Sequence, residues 1–191
     1  VKYQPPGVHA YVTVSYFDLE QINLPDPLAF PGTPPTQEGE VNINGVEVEG
    51  MAVMGDFQLM ASFSLLDTEN QFGADVNYVP EKQAAIWLSW APSSGQLSKL
   101  RIGGGARYAS ENETNATVYL LPNPFPGIIE NATTKGYTVM DAQVAYEFEG
   151  VDLALNARNL FDREYYGTCD VNGGCFRGEA RTVVGSMTIK F

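Results

Sequence analysis

Basic residues are scarce in this chain: 11 Lys plus Arg stand against 23 Asp plus Glu, a formal net charge of -12 over 191 residues. Nucleic acid and anionic lipid head groups both call for a basic surface, so this balance argues against either as a partner and fits a solubilising acidic surface. Histidine is scarcer still. His9 stands alone beside the first turn, and a hydrolytic site needs a nucleophile or activated water with a positioned base, a constellation the sequence does not offer. Cysteine occurs twice, in "GTCDVNGGC", without the paired CxxC units or histidines of a zinc site. A short Cys169 to Cys175 disulfide formed in an oxidising compartment is the better reading. No apolar run approaches the roughly 18 residues of a membrane-spanning helix, and no basic-then-apolar leader opens the chain, as in a mature exported protein or a fragment. Helical periodicity is missing throughout, so "GGGAR" (103–107) has no following helix and is not a phosphate loop. The Asn112, Asn115 and Asn131 sequons are incidental matches.

What the chain does have is alternation. In the closing "VVGSMTIKF", Val183, Gly185, Met187, Ile189 and Phe191 share one face and Val184, Ser186, Thr188 and Lys190 the other. A half-buried strand of a soluble sandwich and a strand of a membrane barrel both read this way. With 44% hydrophobic residues the length would support a sizeable core. Alternating segments predict strands near 8–22, 38–53, 57–70, 83–91, 99–111, 137–149, 151–164 and 179–191. In "TVMDAQVAYEF", Met140, Val144 and Phe148 oppose Asp141, Gln143 and Glu147.

The connections discriminate between the two architectures. They alternate without exception between tight (54–56, 92–99, 149–151) and long (23–37, 71–82, 112–136, 165–178). Short turns at one end and long loops at the other are the layout of an outer-membrane barrel, with periplasmic turns and extracellular loops. The fold class expected is all-β, an antiparallel transmembrane β-barrel meander with Phe191 as an interface anchor at the periplasmic edge. Val1 to Gln4 reads as the tail of a further strand, which points to a carboxy-terminal piece of something larger. The rival is a self-contained eight-stranded barrel acting as a structural protein or adhesin.

From Asn156 onward, "NARNLFDREYYGTCDVNGGCFRGEARTVVGSMTIKF" resembles the closing strands of TonB-dependent outer-membrane receptors for ferric siderophores. The run Asn159 to Tyr165 and the terminal phenylalanine are widespread there. The cysteine loop followed by Phe176, Gly178 and Glu179-Ala180-Arg181 is similar to the ferrichrome and hydroxamate branch, as are "VKYQPPG", "EVNINGVEVEG", "FQLMASFSLLDTE" and "LRIGGGARY". The resemblance implies a barrel of about 22 strands enclosing a plug, of which residues 1–191 would supply about the last eight strands. It implies a ferric siderophore as transported ligand with no cofactor of the protein's own, contact with outer-membrane lipid, and coupling to TonB through a plug region outside these residues.

A ferric siderophore wraps its iron in organic oxygens, so aromatic walls rather than metal ligands are expected to recognise it. Candidates are Tyr165, Tyr166 and Phe176 around the cysteine loop, with Tyr119 and Phe125 in the longest loop; girdle anchoring is an equal reading for Tyr165 and Tyr166. Of the lumen-facing charges, Glu47, Glu49, Arg101, Arg107, Asp141, Glu147, Asp152 and Arg158, cross-strand pairing is expected before contact with a plug. Across the long loops Asp26, Asp75, Glu81, Glu113, Glu130 and Asp170 outnumber Lys82, Lys135 and Arg177, six to three. A strongly anionic tris-catecholate would want a basic lining, so the loops favour a hydroxamate complex.

Overall fold

The alternation of apolar and polar side chains is realised as strand in every long segment. The computed structural model describes residues 1–24, 39–114, 132–169 and 174–190, and among them there is no helix. In chain order the strands are β1 (Lys2–Tyr3), β2 (His9–Leu24), β3 (Gly39–Met54), β4 (Phe57–Asn70), β5 (Lys82–Trp90), β6 (Leu100–Ala109), β7 (Asn112–Thr114), β8 (Ala132–Thr134), β9 (Tyr137–Phe148), β10 (Val151–Arg158), β11 (Tyr166–Cys169), β12 (Cys175–Arg177) and β13 (Thr182–Ile189). Nine of them make one antiparallel sheet in the order β1-β2-β3-β4-β5-β6-β9-β10-β13. The remaining four form two small hairpins, β7 with β8 and β11 with β12, inside connections where the sequence predicts loops.

Register sorts the side chains into two faces. Val144 lies beside Ile102 on β6 and Leu155 on β10, and Leu153 lies beside Tyr146 on β9 and Met187 on β13. These side chains point away from the protein: Val144 is 41% exposed, Leu155 49% and Met187 64%. A water-soluble sandwich would bury such a surface, yet the buried apolar residues among those described are only Ala109, Val139 and Ala145. A single curved sheet with a continuous apolar outer surface is the wall of a transmembrane barrel. Aromatic rings mark the periplasmic margin of that surface, with Tyr146 and Phe148 centroids 4.9 Å apart. Phe191 lies outside the described residues.

The opposite face is polar and lines the lumen. Here cross-strand pairing occurs as expected: Arg107 meets Asp141 at 2.7 Å, Arg101 meets Asp152 at 3.6 Å, and Lys190 reaches Asp152 at 3.0 Å and Glu147 at 3.2 Å. Hydrogen bonding to Asp152 first and Glu147 second raises the Lys190 ammonium above its ordinary pKa. Arg158 pairs instead with Glu179, at 3.9 Å. Glu47 and Glu49 make no ion pair among the described residues and face a lumenal recess of about 540 Å³ shared with Ser62, Arg107 and Tyr137. The glycine run of β6 also has a lumenal purpose. A Cβ at Gly103 would fall 2.5 Å from the Trp87 indole and one at Gly105 2.7 Å from it, so the glycines let that ring lie flat across the neighbouring strand.

Two expectations need correction, and the rival architecture is set aside. The strand predicted over 151–164 stops at Arg158, because Asn159 (φ 47°) and Asp162 (φ 54°) turn the backbone out of the extended region. The last strand begins at Thr182 rather than 179, after Asp162 has captured the Arg181 amide at 2.8 Å. The eight long strands do not close on themselves: β1 and β13 stand at opposite edges of an open sheet, unlike the self-contained small barrel considered as a rival.

Turns through Gly7 (φ 77°), Gly55 (φ 61°) and Gly150 (φ 76°) lie along one edge, and every long connection leaves from the other. An epitope tag inserted near Gly150 is expected to stay silent on intact cells, while one inserted in 112–136 is stained. Staining of the Gly150 tag from outside would refute the orientation.

Candidate functional site at the loop edge

At the end of β10 the chain must turn, cross to the extracellular hairpin, and return to start β13. Asn159 organises this crossing. It is 1% exposed, and its side-chain amide donates to the carbonyls of Arg163 at 2.8 Å and Glu179 at 3.0 Å, while its Oδ1 accepts the Arg163 amide at 2.9 Å. The Asn159 backbone amide donates in turn to Asp141 Oδ1 at 2.9 Å. Asp141 is the lumenal carboxylate that takes the Arg107 guanidinium in two parallel bonds, 2.7 and 3.0 Å. A continuous polar chain thus runs from the lumen wall of β6 through β9 to both ends of the 159–181 segment. The Asn-Leu-Phe-Asp-Arg run singled out from sequence is therefore a turn-building device, with Asn and Asp at the two left-handed positions they tolerate best.

Above this turn stand the aromatic candidates. Tyr165 is half-buried, its ring 4.2 Å from that of Tyr137 and packed over Gly178, where a Cβ would fall 2.2 Å from the ring. Tyr165 thus packs within the protein, and Tyr137, which the sequence reading did not single out, is its partner. Tyr166 and Phe176 differ: they are 52% and 71% exposed. Both sit on the β11–β12 hairpin, where Cys169 and Cys175 face each other across the ladder with Cα atoms 4.0 Å apart and are joined by a disulfide. Tyr119 and Phe125 lie outside the described residues.

The hairpin does not stand free. Thr114 Oγ1 donates to the Cys169 carbonyl at 2.7 Å, the Cys169 amide donates to Thr134 Oγ1 at 2.8 Å, and Asn112 Nδ2 donates to the Gly167 carbonyl at 3.2 Å. The Tyr78 amide donates to the Glu113 carbonyl at 3.1 Å, bringing in the 71–81 connection. Three of the four long connections are therefore tied into one cap at the mouth. Two of its three loop cations are already engaged, Lys82 with Glu81 and Arg177 with Glu164. Among the described residues no cluster of His, Cys, Asp and Glu is arranged to hold a metal ion. Nothing in residue spacing announced the threonine contacts, because they join positions 55 and 35 residues apart.

Residues 1–160 match the family model described as TonB dependent receptor-like, beta-barrel. The chain is 28% identical over 203 residues to the ferrioxamine B receptor of Salmonella typhimurium, covering 100% of this chain and 27% of that protein. It is 31% identical over 206 residues to the ferrichrome outer membrane transporter/phage receptor of Escherichia coli K12, covering 100% of this chain and 25% of that protein. Among solved structures, the ferric-catecholate import receptor Fiu of Escherichia coli superposes with a TM-score of 0.74 at 22% identity, covering 100% of this chain and 26% of that one. The pyoverdine receptor FpvA of Pseudomonas aeruginosa superposes with a TM-score of 0.75 at 20% identity, covering 95% and 27%. The chain spans about a quarter of the length of the relatives it matches. An open meander with an apolar outer face, a charged lumen and a tied extracellular cap, together with the family match over most of its length, establishes that the chain belongs to the TonB-dependent receptor-like β-barrel family of the outer membrane.

Proposed function

We infer that residues 1–191 form the carboxy-terminal part of the barrel of a receptor that imports ferric siderophores, of the hydroxamate type, in a TonB-dependent way. The iron complex is the transported substrate. Outer-membrane lipid covers the apolar face, and the contact with TonB belongs to a plug region outside these residues. The observation that carries the ligand class is the electrostatics of the cap. Lys82 and Arg177, two of the three loop cations, are each paired with a carboxylate, so the mouth offers little net attraction to a strongly anionic tris-catecholate. A near-neutral or cationic hydroxamate complex meets no such barrier, and exposed Tyr166 and Phe176 supply rigid apolar contact area with little conformational entropy to lose. The relatives named for ferrioxamine B and ferrichrome support the same class.

The test uses the full receptor that carries this chain. Binding of ferrioxamine-type and ferrichrome-type hydroxamates is expected to exceed binding of a ferric tris-catecholate at matched concentration and ionic strength. Tighter binding of the catecholate would overturn the ligand class and leave the barrel intact.

A further inference from the structure

Register places Asn112, Thr114 and Thr134 on one face of the β7–β8 hairpin, since Asn112 opposes Thr134 and Thr114 lies two residues further along the same strand. All three are buried, Thr114 to 1% exposure and Thr134 to 2%, and all three bond to the backbone of β11. The two threonine bonds converge on Cys169, while Asn112 takes the Gly167 carbonyl. A hydroxyl both donates and accepts, which is what allows Thr114 to take the Cys169 carbonyl while Thr134 takes its amide. The side chain of the same residue is joined to Cys175 on β12. Cys169 is thereby held at three points: covalently toward the strand that bears Phe176, and by two hydrogen bonds toward the 112–134 connection.

The seam is polar and marginal. Among the described residues Asn112 Oδ1, and Thr168 Oγ1 next to it on β11, are buried without a hydrogen-bond partner, and unpaired buried polar atoms offset much of what the satisfied bonds contribute. A seam of that kind holds only if the surface it meets is already shaped, and the disulfide supplies that shape by fixing the β11–β12 ladder where the two strands join through their connecting loop.

We propose that Thr114 and Thr134 are positioning residues that lock the paired strands β7 and β8 to the disulfide hairpin, so that the two pairs move as one body and hold Tyr166 and Phe176 at the mouth. The disulfide and the two hydroxyls are parts of one latch. Removing either end releases the other, although the parts lie on different connections. The effect on the ligand rests on the siderophore reading given above; the coupling between hairpins does not.

The test is hydrogen exchange on the full receptor without ligand, in three variants and one combination of them, with heat-modifiability as the check on barrel assembly. Thr114→Val with Thr134→Val keeps the shape and removes both hydroxyls; Thr114→Ser with Thr134→Ser restores them; Cys169→Ser with Cys175→Ser removes the bridge. The Val pair is expected to speed exchange of the Phe176 and Arg177 amides, which none of the lost bonds involves, by about tenfold, and the Ser pair to restore it. The cysteine variant is expected to speed exchange across 112–114 and 132–134 by a similar factor, and combining it with the Val pair should add little. Ferric hydroxamate affinity of the Val pair should fall several-fold with maximal uptake rate unchanged. Unchanged exchange in 112–114 and 132–134 after loss of the disulfide would overturn the latch, as would failure of the Ser pair to restore protection. Normal coupling in a receptor that binds no siderophore would instead overturn the ligand reading alone.

Discussion

Asn159→Ala is expected to destabilise the barrel by about 3–5 kcal/mol, measured by denaturant unfolding of the full receptor in detergent micelles. The side chain serves three backbone groups at once, the amide and carbonyl of Arg163 and the carbonyl of Glu179, at a site that is 1% exposed. Each group left unpaired costs roughly 1–3 kcal/mol, and the three are close enough that their costs do not simply add. Alanine also sits poorly at φ 47°, which adds about 1 kcal/mol. Two further variants separate these causes. Asn159→Gly relieves the backbone but not the lost bonds, so it should recover only a small part of the stability. Asn159→Asp keeps the acceptor for the Arg163 amide but loses both donors and turns negative charge toward two carbonyls, so it should be no better than alanine. Wild-type stability in the glycine variant would show that backbone strain, not the buried amide, dominates at this position.

The second large effect lies on the apolar outer face. Val144→Arg is expected to cost roughly 2–4 kcal/mol and to lower the temperature at which the receptor loses its compact mobility on gels, whereas Val144→Leu should be near neutral. Val144 lies mid-strand on β9, between outward-facing Met140 and Phe148, and its lateral neighbours Ile102 and Leu155 are apolar too. A guanidinium there has no partner on its own face and is too deep to reach either water layer without thinning the bilayer. Arginine is tolerated one position away in register only because the face changes: Arg101 lies opposite Ala145, on the lumen side, and finds Asp152. If Val144→Arg matched Val144→Leu, the outer face of β9 would not be in lipid.

The same residues show how far local sequence carries. The eight long strands, the face each side chain takes and the end of the sheet the short turns occupy were legible in the chain, because period-2 alternation and connection length are local properties; the two small hairpins and the stop of β10 at Arg158 were not. Met140, Val144 and Phe148 face out and Asp141, Gln143 and Glu147 face in for that reason, and the lumenal ion pairs of Arg101 and Arg107 follow from register. The acidic loop balance was equally visible.

What the tertiary structure alone decided is which side chains are committed to holding the mouth and which are free to meet a ligand. Tyr165 and Tyr166 are adjacent and chemically identical, yet Tyr165 packs between Tyr137 and Gly178 while Tyr166 stands exposed. Asn159 lay within a predicted strand and proves to be the knot between β9, β10 and the approach to β13. Thr114 and Thr134 look like ordinary loop threonines until the chain folds and brings Cys169 between them. Each of these depends on contacts between residues far apart in the chain, and such contacts leave no period in the sequence. They arise only when curvature and register bring separate connections to the same edge of the wall.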